Sequence, residues 1–352
     1  MRIKESKVLV VGGAGFVGSN LVSQLLLQGC RNILIVDNLL SAEAANLPRD
    51  PRVGFLRGSI ADDRILARLP RSIECIFHLA CYHGNQSSIV DPLADHRNNT
   101  LTTLKLLETI RSFPKLKKVV YAAAGCAVAE KTFKAAQATP EDAPVSLFHD
   151  SPYSISKLIG EMYGNYYWRR HGVPFVKARF QNVYGPREIL GAGRWRGTVH
   201  TVWRNVVPTF IWKSLNGEAL PLENGGKTSR DFIFVEDLVR GLLACAERGE
   251  PGEAYNLASG RETTIAELAG MINEITGNPT LPDFRPGRDW DRSGRRFGAV
   301  EKSRRKLGFR ASTTMREGLQ KTIDWTRAHR ALIRRTMRKH DGNMRRIGKV
   351  VS

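Results

Sequence analysis

The sequence predicts an α/β fold, a Rossmann-type doubly wound parallel sheet with a smaller α/β part toward the C-terminus. Three observations predict it. Short apolar runs alternate with stretches of helical periodicity through the first half of the 352 residues. A glycine-rich turn joins the first run to the first helix, and an acidic residue ends the second run. Strands alternating with helices imply parallel pairing through right-handed crossovers.

The elements follow in order. Lys7–Val11 (KVLVV) reads as a strand, and residues 15–28 as a helix with Phe16, Leu21, Leu25 and Leu26 among its apolar positions. Strands are predicted at Asn32–Val36, Val53–Leu56, Glu74–Leu79, Lys118–Ala122 and Phe175–Phe180, with helices at Thr100–Ile110 and Pro152–Arg170. Residues 185–197, rich in glycine and arginine, read as a loop. Beyond it, Val199–Leu215, Glu236–Arg248, Thr264–Thr276 and Ser312–His329 read as helices, Phe232–Val235 as a short strand, and Asn278–Phe297 as a loop. Thr264 with Glu267 three residues on is a helix start signal. The expected division is a dinucleotide-binding domain over 1–180, with 232–260 returning to it, a substrate domain over 181–231 and 261–325, and a basic tail over 326–352.

Composition excludes several classes. No apolar run approaches the ~18 residues of a membrane span. The N-terminus goes from Met1-Arg2-Ile3-Lys4 straight into a strand, without a signal-peptide pattern. The five cysteines are scattered, so neither a disulfide framework nor a metal site is expected, and a reducing cytoplasm is the natural setting. Net charge is +20, and the segment from Arg327 onward carries nine Lys/Arg against Asp341 alone. That tail is expected to be a solvated helix fraying into disorder, with weak contact to an anionic surface as the alternative. Nucleic acid is not expected, because no aromatic residues interleave with the basic ones.

Residues 12–18 read Gly-Gly-Ala-Gly-Phe-Val-Gly, placing Gly12, Gly15 and Gly18 in a GxxGxxG pattern between strand and helix, with Phe16 and Val17 inside it. Such a turn lets the backbone approach a pyrophosphate, which the helix N-terminus then favours. Asp37, about 20 residues on, is placed to accept hydrogen bonds from ribose hydroxyls and to repel a 2′-phosphate, which selects NAD over NADP. Tyr153 and Lys157 are four residues apart on a predicted helix and share one face. An ammonium beside a phenol favours the phenolate, so Tyr153 becomes a candidate base for a hydroxyl proton.

Together these features resemble the extended short-chain dehydrogenase/reductase family of nucleotide-sugar epimerases and dehydratases, over roughly residues 7–325. The resemblance implies NAD contacts from Asn38 beside Asp37, from Ser59 and Ile60 after the third strand, from Leu79 and Ala80 in His78-Leu79-Ala80, and from Asn98. Arg179–Pro186 (RFQNVYGP) resembles the family's RxxNxYGP segment and implies Asn182 as a substrate-phosphate contact. Arg230–Asp237 (RDFIFVED) implies Arg230 at the nucleotide diphosphate. Arg288 or Arg292 is a second diphosphate candidate, and His83 and Asn85 are candidates for the sugar hydroxyls. The implied chemistry is oxidation at sugar C4 with Tyr153 and Lys157, then re-reduction. A homodimer through helices 100–110 and 152–170 is also implied.

The pattern breaks after the fifth strand. Where the family resembles itself in carrying Ser or Thr, this chain has Ala124, and no hydroxyl occurs from Ala122 to Val128. Cys126 is a candidate replacement as a weak donor, with another hydroxyl or a water as alternatives. The Asp-Glu pair of the sugar dehydratases is replaced by Gly125 and Cys126, which favours C4 epimerisation. Dehydratase, decarboxylase, dehydrogenase and non-catalytic nucleotide-sugar binding stay open as alternatives.

Overall fold

A computed structural model of the chain describes residues 2–128, 132, 134–288, 291 and 294–348. Seven strands form its central sheet: β1 Lys7–Val11, β2 Asn32–Asp37, β3 Val53–Arg57, β4 Cys75–His78, β5 Lys118–Ala124, β6 Phe175–Phe180 and β7 Ala254–Leu257. The order is β7-β6-β5-β4-β1-β2-β3, and every neighbour pair is parallel. Strand order reverses at β1, which pairs with β2 on one side and β4 on the other. A crevice opens beyond the strand ends at such a point.

The sheet is covered on both faces, which explains its uninterrupted apolar strands. On β1, Val8 and Val10 pack into one core with Leu21 and Leu25 of α1 (Phe16–Leu27), while Leu9 and Val11 pack into the other with Leu106 and Tyr167. Leu106 lies on α2 (Thr102–Ile110) and Tyr167 on α3 (Pro152–His171). Successive strand residues point to opposite faces, so one short run serves both cores. Helix α3 starts at Ser151, whose hydroxyl accepts from the Ser154 N–H, with Pro152 in the first turn, and ends at Gly172 in the left-handed region (φ 67). The buried Arg179 on β6 makes a two-pronged ion pair with the buried Glu161 of α3 at 2.8 and 2.9 Å, tying helix to sheet.

After β6 the chain builds the smaller part from α4 (Val206–Leu215), α6 (Ile265–Thr276) and α7 (Met315–Ala328), while α5 (Val235–Arg248) returns to the sheet, its Leu238, Val239 and Leu242 sharing a core with Leu21 and Leu25 of α1. Strand Asn182–Tyr184 pairs with Phe232–Phe234, while Asp283–Arg285, expected as loop, pairs with Pro221–Glu223. Thr264 caps α6 with Glu267 in the reciprocal pattern the sequence suggested.

Three further expectations are corrected. The helix read from Thr100 is preceded by a wider π-type turn over His96–Leu101. The helix read over Val199–Leu215 is broken at Trp203–Asn205, because Asn205 takes an extended backbone (φ −125) and spends its side chain on Glu188 and His83. The described part of the tail does not fray: it forms α8 (Arg330–Arg338) and α9 (Asp341–Arg346). Ile333, Met337 and Met344 are buried against Ile189, Leu190, Val202 and Trp212, while Arg334, Arg335 and Arg338 face outward. An apolar stripe at spacings of four and seven underlies the charge and gives each helix a core to join. Among the described residues, no helix is long and apolar enough to cross a membrane, and no group of three or more His, Cys, Asp or Glu could hold a metal.

Candidate active site

A cavity of about 850 Å³ lies at the C-terminal edge of the sheet. Its first wall is the glycine turn. Gly12 has φ 87, and a Cβ there would stand 2.6 Å from the Ala80 nitrogen. A Cβ on Gly18 would stand 2.2 Å from the Gly12 carbonyl oxygen. Neither position admits a side chain without moving backbone, so the turn stays thin enough for a ligand to approach. Gly15 caps α1 without a side chain, leaving the first helical N–H groups, around Phe16 and Val17, directed at the cavity.

Asp37 ends β2 nearly buried. Its Oδ2 accepts from the Ala14 N–H at 3.0 Å and its Oδ1 from the Leu39 N–H at 2.8 Å. Burial raises its pKa, and those two N–H groups oppose the rise. The carboxylate therefore braces the glycine turn, and each oxygen keeps a further lone pair for a ligand. Asn38 accepts from the Leu40 N–H, and Asn38, Ser59, Ile60, Leu79 and Ala80 all line the same cavity. Asn98 lines it too, its amide anchored on the Ala94 carbonyl.

Tyr153 and Lys157 reach this cavity from the first turns of α3. The Lys157 Nζ donates to the Ala122 carbonyl at 2.8 Å and stands 5.9 Å from the Tyr153 ring centre. The cation is thus held under the phenol by the end of β5. Ala122, Ala123 and Ala124 form the adjoining wall. The His83 ring meets Tyr153 edge-on, with centres 6.2 Å apart, and its Nε2 lies 3.1 Å from the Asn205 Oδ1. Burial and the nearby Arg204 push His83 down to about 4, so its ring is neutral. Asn85 opens the short helix Asn85–Val90 beside it. Toward the other end, Asn182, Arg230 and Arg288 line the cavity, with Arg230 held by the Ser229 and Gly294 carbonyls and Arg288 paired with Glu223 at 2.5 Å. Arg292 and the side chain of Cys126 lie outside the described residues.

Among the lining residues that the sequence reading did not single out, four bear on the chemistry. Glu188, Arg204 and Asn205 come from the stretch read as loop and helix, where charge suggests solvent. Instead Glu188 is buried, bonded by the Asn205 amide, and its carboxyl is pushed up to about 7 by that burial. Gln181 is the fourth: a Cβ on Gly125 would run into its side chain, so its amide lies across the chain just after Ala124. Its signal was available inside the RFQNVYGP segment, at the residue before Asn182.

The profile of the NAD dependent epimerase/dehydratase family matches residues 8–258. The chain belongs to that family. A UDP-glucose 4-epimerase of Mycolicibacterium smegmatis is 31% identical over 91% of this chain and 98% of its own length. A dTDP-glucose 4,6-dehydratase of Streptomyces antibioticus is also 31% identical, over 92% of this chain and 93% of its own. Among solved structures, the Bordetella bronchiseptica enzyme WbmF in complex with NAD+ and UDP superposes with a TM-score of 0.87. It is 60% identical and covers 96% of this chain and 97% of that one. The doubly wound fold expected from the sequence is the fold of these enzymes. As a member of an NAD-dependent family the chain takes NAD as its cofactor. The glycine turn, the uncapped α1 N-terminus and the carboxylate at the end of β2 fit that group.

Proposed function

We propose that the protein is a nucleotide-sugar 4-epimerase working on NAD held in the cleft. The observation that carries this reading is the convergence of the Tyr153–Lys157 pair and the glycine turn on one cavity, which extends to Asn182 and Arg230. When bound, NAD would supply the redox chemistry, a reversible hydride transfer at sugar C4. Tyr153 takes the C4 hydroxyl proton as the keto group forms and gives it back as the carbonyl is reduced on its other face. Lys157, anchored on Ala122, stabilises the phenolate by charge. Asn182, Arg230 and Arg288 hold the nucleotide diphosphate, an arginine offering paired N–H groups to phosphate oxygens. His83, Asn85 and Gln181 face the sugar and provide the hydrogen bonds that a hydroxyl at position 124 would have made. In this reading the sheet domain (1–180 with 232–260) carries the cofactor, residues 181–231 and 261–325 carry the nucleotide, and the cytoplasm is the setting.

The turnover test is direct. Incubation with UDP-hexoses is expected to yield the C4 epimer by proton NMR, with no net rise in near-ultraviolet NADH absorbance. Stoichiometric NADH accumulation would sink the redox-neutral mechanism. A second reading rests on Glu188, a buried carboxyl with an elevated pKa linked through Asn205 to His83. That is acid–base equipment for removing a carbon-bound proton, as dehydration requires. Loss of water from the product, seen by mass spectrometry, would select it.

A homodimer through α2 and α3 belongs to the same proposal. On α3, Ile155, Met162 and Tyr166 are 45%, 55% and 54% exposed at spacings of seven and four, an apolar stripe on one face. Sedimentation is expected to give a dimer, and Met162→Glu with Tyr166→Glu a monomer. A monomeric wild type at micromolar concentration would refute it.

A further inference from the structure

We propose that residues 187–204 are a clasp over the bound dinucleotide, that α8 and α9 fasten it, and that Arg204 on its inner side takes an anionic oxygen of the cofactor. This rests on NAD as the occupant of the cleft. The segment leaves the substrate part and runs back across the loop that follows Asp37. The Arg194 N–H donates to the Leu40 carbonyl at 2.9 Å, and the Gly193 N–H donates to Glu43 at 2.9 Å. Gly193 has φ 82, and a Cβ there would lie 2.2 Å from the Leu40 oxygen, so strap and loop touch backbone to backbone. Arg196 donates to the Ser41 hydroxyl and the His83 carbonyl, and Arg204 to the Ser41 carbonyl. These bonds join the loop after Asp37 to the loop beside Tyr153.

The tail holds the outer side. The Thr336 hydroxyl donates to the Leu190 carbonyl at 2.8 Å, and the His340 Nε2 donates to the Gly191 carbonyl at 2.9 Å. A Cβ on Gly191 would stand 2.6 Å from the Thr336 oxygen. Lys339 pairs with Glu43, the same carboxylate that receives the Gly193 N–H. Met344 lines the cavity itself. A ligand lying along the glycine turn leaves only when this strap lifts, and the strap lifts only when the tail helices release it. On its inner side the Nε atoms of Arg196 and Arg204 are buried without a hydrogen-bond partner among the described residues, and burial together with Arg196 pushes Arg204 down to about 9 against the opposing pull of Glu188 and Glu43. Two guanidinium groups in that setting are matched by phosphate oxygens.

The test is the rate at which purified protein loses NAD into NAD-free buffer containing an NAD-hydrolysing enzyme. Wild type is expected to emerge from gel filtration with NAD bound. Thr336→Val/His340→Phe, which keeps the apolar packing, is expected to lose NAD about tenfold faster, the factor for two hydrogen bonds of ordinary strength. Arg204→Gln is expected to lose it faster still, and removal of residues 329–352 to give protein that purifies empty and binds added NAD. Wild-type loss rates in the double variant, with an unchanged circular dichroism spectrum, overturn the clasp. Normal NAD retention in Arg204→Gln with a raised KM for the nucleotide sugar assigns that charge to the substrate and overturns its place here. A wild type that binds no NAD at any concentration overturns the cofactor reading instead.

Discussion

Tyr153→Phe lowers kcat by about 10²–10⁴-fold, the range for losing a positioned acid–base group, with NAD content and thermal midpoint unchanged. The ring survives the substitution, so its edge contact with His83 is kept and only the hydroxyl is removed. Its backbone N–H still donates to the Ser88 hydroxyl, and α3 keeps its Ser151 cap. KM is expected to stay within a few-fold, because the lost interaction operates in the transition state. Lys157→Met is expected to follow in the same direction, since it removes the cation 5.9 Å from the ring centre. Steady-state kinetics on the nucleotide sugar found by the turnover test measures both. Undiminished turnover in Tyr153→Phe sinks the assigned mechanism and moves attention to His83.

Glu161→Ala destabilises the fold by about 3–5 kcal/mol, the usual cost of stranding one partner of a buried ion pair. Arg179 is 6% exposed and Glu161 4%, so little solvent reaches the guanidinium left behind. Both prongs of the pair go with the substitution, and the bond from Arg179 to the Glu141 carbonyl is what remains. Urea unfolding measures the loss. Adding Arg179→Met to Glu161→Ala is expected to recover part of it, because the uncompensated charge goes too. An unchanged midpoint in Glu161→Ala would refute the assignment. Arg179 begins a segment that otherwise reads as phosphate-binding, yet its charge is consumed inside the fold.

Local patterns made much of the molecule legible. Val8 to Val11 alternate between two cores, and that continuous apolarity announces a strand covered on both faces. Gly12 and Gly18 stand where backbone must pass close to backbone, a requirement one residue type meets. The i, i+4 spacing of Tyr153 and Lys157 carries straight into the structure because Ser151 and Pro152 start their helix in register. Strand β7 was harder, since Ala254-Tyr255-Asn256-Leu257 is short and its Asn256 is polar. Asn256 is buried there because its amide donates to the Thr139 and Ala299 carbonyls, partners more than forty residues away.

Chemistry set by distant partners was not legible. Asp37 announced itself as a ribose contact, and the fold adds a second task by turning both oxygens onto the Ala14 and Leu39 N–H groups. Glu188 and Arg196 fall in the stretch read as loop and Arg204 in the stretch read as helix, and tertiary contacts bury Glu188 and Arg196 and bring Glu188 and Arg204 to the cleft. The basic tail read as frayed for the same reason. Periodicity and turn chemistry act over a few residues, so the chain alone determined the parallel sheet, the glycine turn and the Tyr153–Lys157 pair. Desolvation of a charge depends on what packs over it from elsewhere. Only the tertiary structure decided that burial pushes the Glu188 carboxyl up to about 7 and that the tail helices close over the strap above the cleft.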